Sequence, residues 1–238
     1  MEKKRLNKAI SETGYCSRRE ADKLIEQGRV KVNGEKVGLG VKVTSADSIS
    51  VNGKAINKEV ENVYLVFNKP RGITCTTDLK DKTNIIDFIN YPERIFPIGR
   101  LDKPSEGLIF LTNDGDIVNK ILRSKNNHDK EYIVKVDKKI DKSFVERMAN
   151  GIPILGTITK KCQVEQIDNL TFKIILTEGL NRQIRRMCEY LGYEVKRLKR
   201  VRIMNINLDV APGKWRPLSK KEIDEVNRLV AHSSKTVE

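Results

Sequence analysis

Apolar residues near the start of the chain recur every three to four positions, which is the spacing of an amphipathic helix. Two such helices are predicted, and Gly14 and Gly28 are placed to end them. Ser17 and Glu20 have the spacing of a capping box, so the second helix should begin after Ser17. The two apolar stripes consist of Leu6, Ala9 and Ile10, and of Ala21, Leu24 and Ile25.

The pattern then changes to short alternating runs that each end in an Asn-Gly pair. Val30–Val32 leads into Asn33-Gly34, and Ile49–Val51 leads into Asn52-Gly53. Asn-Gly favours the tight turn of a β-hairpin, because both central residues of that turn adopt positive φ. The chain therefore predicts a small N-terminal module of two helices and a short sheet.

Longer apolar runs begin after a polar stretch around Asn57 to Asn62, which indicates a linker. The unbroken apolar run Leu108–Thr112 predicts a central strand, and a helix should follow from about Asp114 to Leu122. Further predicted elements are strands at 64–70, 132–136 and 171–177, helices at 143–149 and 181–191, and an extended stretch at 195–208. The predicted organisation is a module at 1–57, a linker at 58–62 and a larger α+β domain at 63–238.

Charge indicates the class of partner. The chain has 46 Lys and Arg against 32 Asp and Glu, a net charge of +14. Such an excess favours a polyanionic partner. Aromatic residues make up only 5% of the chain, which argues against a surface built mainly to stack single-stranded bases.

Several classes of protein are disfavoured. No run approaches the roughly 18 apolar residues of a membrane span, and the N-terminus does not resemble a signal peptide, so we expect a cytoplasmic protein without membrane contact. Four dispersed cysteines and two histidines argue against a disulfide framework, a metal site or a Ser-His-Asp mechanism. The glycine motifs of nucleotide-binding loops are absent from the sequence.

An acidic residue in a basic segment is the first candidate for chemistry. Asp102 lies between Arg100 and Lys103, just before the apolar run 108–112. A carboxylate repels RNA phosphates, so it is better explained by a chemical role than by binding. Two interpretations stay open on spacing alone, a nucleophile held ionised by its neighbours or a structural ion pair with them.

A second candidate segment is a glycine turn that becomes a basic helix. Arg182, Arg185 and Arg186 are spaced to lie on one side of that helix. Residues 178–202 hold eight Lys and Arg against three Glu. Phosphate contact explains most of these cations, and one arginine is expected to pair with Asp102.

The N-terminal module is also basic, with 12 Lys and Arg against seven Asp and Glu in residues 1–57. Such charges commonly form a solvated helix face, but their clustering in a separable unit favours nucleic-acid binding. The helix cations in question are Arg5, Lys8, Arg18, Arg19 and Lys23.

Tyr132 follows Lys130-Glu131 in a predicted strand. A tyrosine in a strand usually packs at the edge of a core. An extruded nucleobase, however, needs a flat partner, and this chain has few aromatic residues. Both interpretations are kept.

These segments resemble a known family. Gly99–Gly115 resembles the catalytic motif of RsuA-type RNA pseudouridine synthases, and Glu178–Met187 resembles their later arginine-bearing motif. Residues 5–53 resemble the S4 RNA-binding domain that precedes the catalytic domain in this family. Phe96–Gly99, Gly151–Gly156 and Arg202–Asn205 are similar to the RluF branch, which acts on large-subunit rRNA.

The resemblance implies an S4 module followed by a synthase domain with a mixed, mostly antiparallel sheet, which isomerises uridine to pseudouridine without metal or cofactor. It implies that Asp102 is the nucleophile, that Tyr132 stacks on the extruded uracil and helps to remove the C5 proton, and that Arg185 pairs with Asp102. Arg100 would help to extrude the nucleotide. A departure at Pro104-Ser105-Glu106 is expected to affect loop shape more than chemistry.

The expected substrate is 23S rRNA of the large subunit, bound by a monomer. Alternatives are a synthase that acts on tRNA and a non-catalytic RNA-binding or ribosome-assembly protein. Besides the five helix cations, the expected RNA contacts are Arg100, Leu101, Lys103, Arg182, Gln183, Ile184 and Arg186.

Overall fold

The structure is a computed structural model that describes residues 3–56, 60–122, 127–231 and 233. Its internal contacts divide the chain into two compact units. The first unit consists of Met1–Val63, Tyr91–Ile95 and Asn113–Gly115, and the second of Tyr64–Asn90, Phe96–Thr112 and Asp116–Glu238. Residues 58 and 59 of the predicted linker lie outside the described residues, and the proposed domain boundaries stay a prediction.

The first unit contains the predicted helices and short strands. In chain order its elements are β1 (Lys4–Arg5), α1 (Leu6–Glu12), α2 (Arg18–Glu26), β2 (Val30–Val32), β3 (Glu35–Lys36), β4 (Lys42–Val43), β5 (Ile49–Val51) and β6 (Lys54–Ala55). Strands β3, β2, β5 and β6 form an antiparallel sheet in that order, and β1 pairs with β4. Both predicted apolar stripes are buried in one core with the sheet.

Local turn chemistry explains the ends of these elements. Asn33 and Asn52 have φ of +52°, and the glycine after each is also left-handed, which confirms both Asn-Gly hairpins. The Ser17 hydroxyl accepts from the Glu20 amide at 3.1 Å, the first half of the predicted capping box.

The second unit alternates strands with helices. Its elements are β7 (Tyr64–Lys69), α3 (Ile85–Ile89), β8 (Phe96–Ile98), β9 (Glu106–Thr112), α4 (Gly115–Leu122), β10 (Lys130–Val136), α5 (Lys142–Asn150), β11 (Pro153–Ile154), β12 (Thr157–Ile158), β13 (Gln163–Gln166), β14 (Thr171–Leu176), α6 (Gln183–Tyr190), β15 (Val195–Ile203), β16 (Ile206–Asn207), β17 (Trp215–Pro217) and α7 (Lys220–Val230).

A nine-stranded sheet forms the centre of this unit. The path runs β13, β14, β10, β15, β9, β7 and β17, while β16 pairs with β15 and β8 with β9. Only the β15–β9 contact is parallel, so the sheet is mixed and mostly antiparallel, as expected. Strand β9 is interior, which confirms the prediction from its apolar run. Helices α4 and α7 contribute Ile117, Ile121, Val226 and Val230 to a core against the sheet.

The parallel contact depends on a glycine. Gly107 of β9 lies opposite Arg200 of β15 and has φ of +107°. A Cβ atom at Gly107 would lie 2.2 Å from the Arg200 carbonyl oxygen. This close approach brings β15 beside the loop that enters β9, and that loop carries Asp102.

Candidate active site

A cavity of about 690 Å³ opens in the second unit. It lies where the loop before β9, strands β10 and β15, and the N-terminal end of α6 meet. Its polar lining includes Arg100, Asp102, Ser105, Lys130, Tyr132, Glu178, Asn181, Arg182, Gln183, Arg185 and Arg200. The volume lies within the range of small-molecule sites.

Backbone contacts fix the loop that carries Asp102. The Ser105 amide donates to the Asp102 carbonyl at 2.9 Å and closes a turn. The Leu101 amide donates to the Cys75 sulfur at 3.4 Å, and the Gly72 amide donates to the Lys103 carbonyl at 2.8 Å. The carboxylate is therefore presented to the cavity from a loop that is held on both sides.

The carboxylate of Asp102 pairs with Arg185, at 3.8 Å between Oδ2 and Nε. The predicted pairing with an arginine of the second segment is thus confirmed in geometry. Of the two interpretations left open, the ion pair of Asp102 with Arg100 and Lys103 is not found among the described residues. The turn between Asp102 and Ser105 leaves both of those cations exposed, and among the described residues only Arg185 forms a salt bridge with Asp102.

Arg185 is itself held by several acceptors. Its guanidinium donates to Ser105 Oγ at 3.0 Å and to the Val195 carbonyl at 3.3 Å. Burial lowers the pKa of Arg185, and the nearby Asp102 carboxylate partly opposes that shift. Ser105, which belongs to the departure from the family motif, is buried and orients the arginine.

The start of α6 differs from the prediction that three arginines share one helix side. Arg182 precedes the helix as its N-cap, with φ of +51°, because α6 begins at Gln183. Arg185 turns toward Asp102, whereas Arg186 donates back to the Asn181 carbonyl at 3.0 Å. The three side chains therefore have three different surroundings.

Gln183 holds the loop before α6. Its amide nitrogen donates to the buried Glu178 carboxylate at 2.7 Å, and its amide oxygen accepts from the Leu180 backbone at 3.0 Å. Glu178 also accepts from the Lys160 amide at 2.9 Å. These bonds hold Gln183 in the cavity wall, and its predicted contact with RNA stays a prediction.

Tyr132 projects from β10 into the cavity wall and is 8% exposed. The guanidinium carbon of Arg200 lies 6.0 Å from the centre of its ring. Arg200 is buried and donates to the Leu108 carbonyl at 2.6 Å. Tyr132 thus packs as the structural interpretation expects and also offers the cavity an aromatic surface, as the functional interpretation requires.

Two buried donors in the cavity wall have no hydrogen-bond acceptor among the described residues, Arg185 Nε and Arg200 Nη2. Buried polar groups are normally paired, so these two donors are exceptions. Arg185 Nε faces the Asp102 carboxylate at 3.8 Å, which is beyond hydrogen-bond distance.

The other predicted RNA contacts fall into three groups. Arg100 and Arg182 are exposed at the cavity, whereas Leu101 and Ile184 line it with largely buried side chains. Lys103 and Arg186 are outside the cavity lining.

The predicted helix cations of the first unit form a separate set, but the placement of Arg5 on a helix was wrong, because it lies in β1 and precedes α1 as its N-cap. Arg5, Arg18, Arg19 and Lys23 are exposed and Lys8 is partly buried. Lys8 and Lys23 lie within 4.0 Å of Glu12 and Glu20, respectively. Within the described part of the chain, Arg18 and Arg19 form no salt bridge, so their charge is available to a partner.

No helix within residues 3–56, 60–122, 127–231 and 233 is long and apolar enough to cross a membrane. No group of three or more His, Cys, Asp or Glu side chains that could hold a metal occurs in the same ranges. All four cysteines are free thiols, and Cys75 and Cys188 are buried.

Comparison with known families explains this arrangement. The family described as RNA pseudouridylate synthase matches residues 63–190, and the S4 domain matches residues 4–49. The chain belongs to the RNA pseudouridine synthase family. It is an isomerase of the RsuA type, and its substrate is RNA.

Relatives cover nearly the whole synthase. It is 54% identical over 236 residues to the dual-specificity RNA pseudouridine synthase RluF of Escherichia coli (strain K12), with 98% of this chain and 81% of that protein covered. The synthase is also 40% identical to ribosomal large subunit pseudouridine synthase B of Bacillus subtilis (strain 168), with 96% of this chain and 97% of that protein covered. A crystal structure of a pseudouridylate synthase aligns with a TM-score of 0.69 and 33% identity, over 93% of this chain and 99% of that one.

The polar residues of the synthase cavity that were missed as site residues from the sequence include Lys130, Glu178, Ser105, Asn181 and Arg200. A signal existed for Lys130, because it lies two positions before Tyr132 on a strand and therefore on the same face. Glu178 and Ser105 have no such signal, since their burial depends on how the loops assemble around α6.

Proposed function

We propose that this synthase isomerises a specific uridine of 23S rRNA, with Asp102 as the nucleophile. The observation that carries the proposal is the pairing of the Asp102 carboxylate with Arg185, at 3.8 Å, in a cavity that also contains Tyr132. An arginine at this distance orients the carboxylate, and an oriented carboxylate can act as a nucleophile.

The reaction balances without an external oxidant or reductant. The bond between N1 and C1′ of the uridine breaks, and a bond between C5 and C1′ forms. One proton leaves C5 and one is gained at N1. Asp102 assists the cleavage by attack on the sugar or the base, and the chain needs only to bind, orient and exchange protons.

Extrusion of the uridine explains the remaining side chains. Removing a base from a helix costs a few kcal/mol, which binding elsewhere on the RNA must offset. Tyr132 supplies a flat surface for the uracil and lies where its hydroxyl can help at C5. Arg100 and Arg182, exposed at the cavity, are suited to the displaced strand and its phosphates.

The substrate class follows from the relatives. The Bacillus subtilis relative is named for the large ribosomal subunit, which supports rRNA as the substrate here. The Escherichia coli relative is named as dual-specificity, which supports a second RNA substrate, and tRNA is our second candidate. We place the enzyme in the cytoplasm, where it acts as a monomer on these RNAs.

Pseudouridine mapping tests this assignment. Purified 23S rRNA fragments and tRNA are incubated with the synthase or with Asp102→Asn, and the modified sites are mapped. We expect one new pseudouridine in 23S rRNA that requires Asp102. Modification of tRNA alone would contradict the rRNA assignment, and no modification of either RNA would favour the non-catalytic alternative.

A further inference from the structure

One buried cation in the cavity wall has no part in the mechanism above. Arg200 of β15 is 4% exposed and lines the cavity. Its guanidinium makes a single hydrogen bond to the described residues, from Nε to the Leu108 carbonyl at 2.6 Å. Nη2 is buried without an acceptor, and within those residues Arg200 forms no salt bridge. A buried charge is normally paired, because an unpaired one is costly to desolvate.

Arg200 lies beside the surface on which the uracil is proposed to stack. In the register of β10 and β15 it is opposite Tyr132, and residues opposite each other on antiparallel strands share a face of the sheet. The guanidinium carbon lies 6.0 Å from the centre of the Tyr132 ring. A base stacked on that ring would lie roughly 3.5 Å from it, so the edge of the base, with its carbonyl oxygens, would adjoin the guanidinium.

The charge of Arg200 is permanent and its position is fixed. A guanidinium stays protonated at any pH of an assay, and its bond to the Leu108 carbonyl anchors it. The backbone of Arg200 is held against Gly107, where a Cβ would lie 2.2 Å from the Arg200 carbonyl oxygen. Burial and Arg200 lower the pKa of Lys130 to about 8, while Asp129 opposes that shift. This wall of the cavity therefore presents a preorganised positive charge.

Negative charge develops on O4 of the uracil by either route to cleavage. If Asp102 attacks C6, the electron pair of the double bond between C5 and C6 moves onto C5 and O4. If the bond between N1 and C1′ breaks first, its electron pair stays on the uracil and is shared by O2 and O4. A preorganised donor beside such an oxygen stabilises the transition state more than the ground state.

We propose that Arg200 is a catalytic residue that donates a hydrogen bond to O4 of the extruded uracil and stabilises the negative charge formed there. This rests on the proposed function, since it concerns the same isomerisation. The guanidinium neither gains nor loses a proton. The electron pair held on the base is used to form the bond between C5 and C1′, so no further reactant is needed.

Sulfur in place of one oxygen of the base tests which atom is contacted. The target uridine is replaced by 4-thiouridine or by 2-thiouridine in an RNA of otherwise identical sequence. Sulfur accepts hydrogen bonds weakly, so Arg200 has less to contribute when sulfur replaces O4. The 2-thiouridine substrate carries the same chemical change at the other oxygen.

Arg200→Met removes the charge and the donors while it retains much of the buried volume. In single-turnover assays we expect this variant to convert uridine about a hundredfold more slowly, as for the loss of one donor to a developing oxyanion. The slowing should be at least about fivefold smaller with 4-thiouridine, because the two changes remove the same interaction. With 2-thiouridine it should lie within about twofold of that with uridine.

Arg202→Met is the matched control. Arg202 lies two positions further along β15, outside the cavity lining, and donates to Glu131 at 2.9 Å. Its relative rates on the three substrates should be those of the unsubstituted synthase. Arg200→Lys is included because it keeps the buried charge should Arg200→Met fail to fold in urea-unfolding measurements. Its slowing should be smaller than that of Arg200→Met and should show the same difference between uridine and 4-thiouridine.

Equal slowing on uridine and 4-thiouridine would overturn the proposal, because a residue that only supports the cavity wall affects all three substrates alike. A normal rate of Arg200→Met on uridine would overturn it as well. A smaller slowing confined to 2-thiouridine would place the contact at O2 and contradict the assignment to O4. The proposed function fails by a different result, which is conversion of uridine by Asp102→Asn.

Discussion

The Nε atom of Arg185 lies 3.8 Å from Oδ2 of Asp102, although the two residues belong to distant segments of the sequence. The same guanidinium donates to Ser105, which follows Asp102 in the same loop. Arg185 thus holds the loop and its carboxylate together. Its contribution should be visible in the rate of the reaction more than in RNA affinity.

Lysine at position 185 tests this role. Arg185→Lys keeps the charge but cannot reach Ser105, Val195 and Asp102 at once, since an ammonium lacks the planar fork of a guanidinium. A charge-assisted hydrogen bond contributes about 1.5–3 kcal/mol, so we expect the single-turnover rate to fall at least roughly tenfold. RNA affinity, measured by filter binding, should change less than about threefold.

Arg186→Lys is the control for that variant. Arg186 is outside the cavity lining and donates to the backbone and side chain of Asn181. Its rate should stay close to that of the unsubstituted synthase. A normal rate in Arg185→Lys would show that the pairing with Asp102 has no catalytic consequence.

Several elements of the fold could be predicted because their signals are local. The Asn-Gly turn at Asn33, the apolar stripe of α2 and the unbroken run of β9 each depend on a few adjacent residues. The physical causes of those elements are therefore contained in short windows of sequence. The structure places the corresponding elements where the patterns predicted them.

The details of the site depend on tertiary structure. Arg100 and Lys103 are adjacent to Asp102 in sequence, yet the turn at Asp102–Ser105 exposes them and leaves the carboxylate to Arg185. A bulge in β15, between the partners of Glu131 and Tyr132, sets Arg200 opposite the tyrosine. No local pattern encodes that bulge.

Gly107 should tolerate no side chain. In Gly107→Ala the new Cβ would meet the Arg200 carbonyl oxygen at 2.2 Å, and the residue would have to keep φ of +107°. We expect a loss of at least about 3 kcal/mol in the free energy of unfolding, measured in urea. Gly115→Ala is the control, because nothing lies within 4 Å of its added Cβ and its φ is not positive. Equal stabilities of the two variants would contradict the close β9–β15 contact.

Gln183 should be required for stability. Gln183→Ala leaves the buried Glu178 carboxylate without its side-chain donor, and an unpaired buried group costs about 1–3 kcal/mol. We expect a loss of that size in urea unfolding. Gln166→Ala removes an exposed amide that also bonds a backbone carbonyl, and it should cost less than about 0.5 kcal/mol. A neutral Gln183→Ala would show that the loop is held by other contacts.

The first unit should contribute electrostatically to RNA binding. Arg18 and Arg19 are exposed and lack salt bridges within the described residues, so their removal should weaken binding and lower the slope of log affinity against log salt by about 1.5. Binding is measured by fluorescence anisotropy with labelled RNA between low and moderate salt. The charge-conserving double variant Arg18→Lys with Arg19→Lys should retain the slope. An unchanged slope in the double variant Arg18→Ala with Arg19→Ala would mean that these two cations form a solvated helix face without RNA contact.

The central claim is that Asp102 performs the chemistry, and one measurement tests it most directly. Purified 23S rRNA fragments are incubated in excess with the synthase or with Asp102→Asn, and pseudouridine is counted at the mapped site while RNA affinity is measured in parallel. Asp102→Asn should form no pseudouridine and should bind RNA at least as tightly, because a negative charge beside the phosphates is removed. Pseudouridine formation by Asp102→Asn at the normal rate would contradict the account.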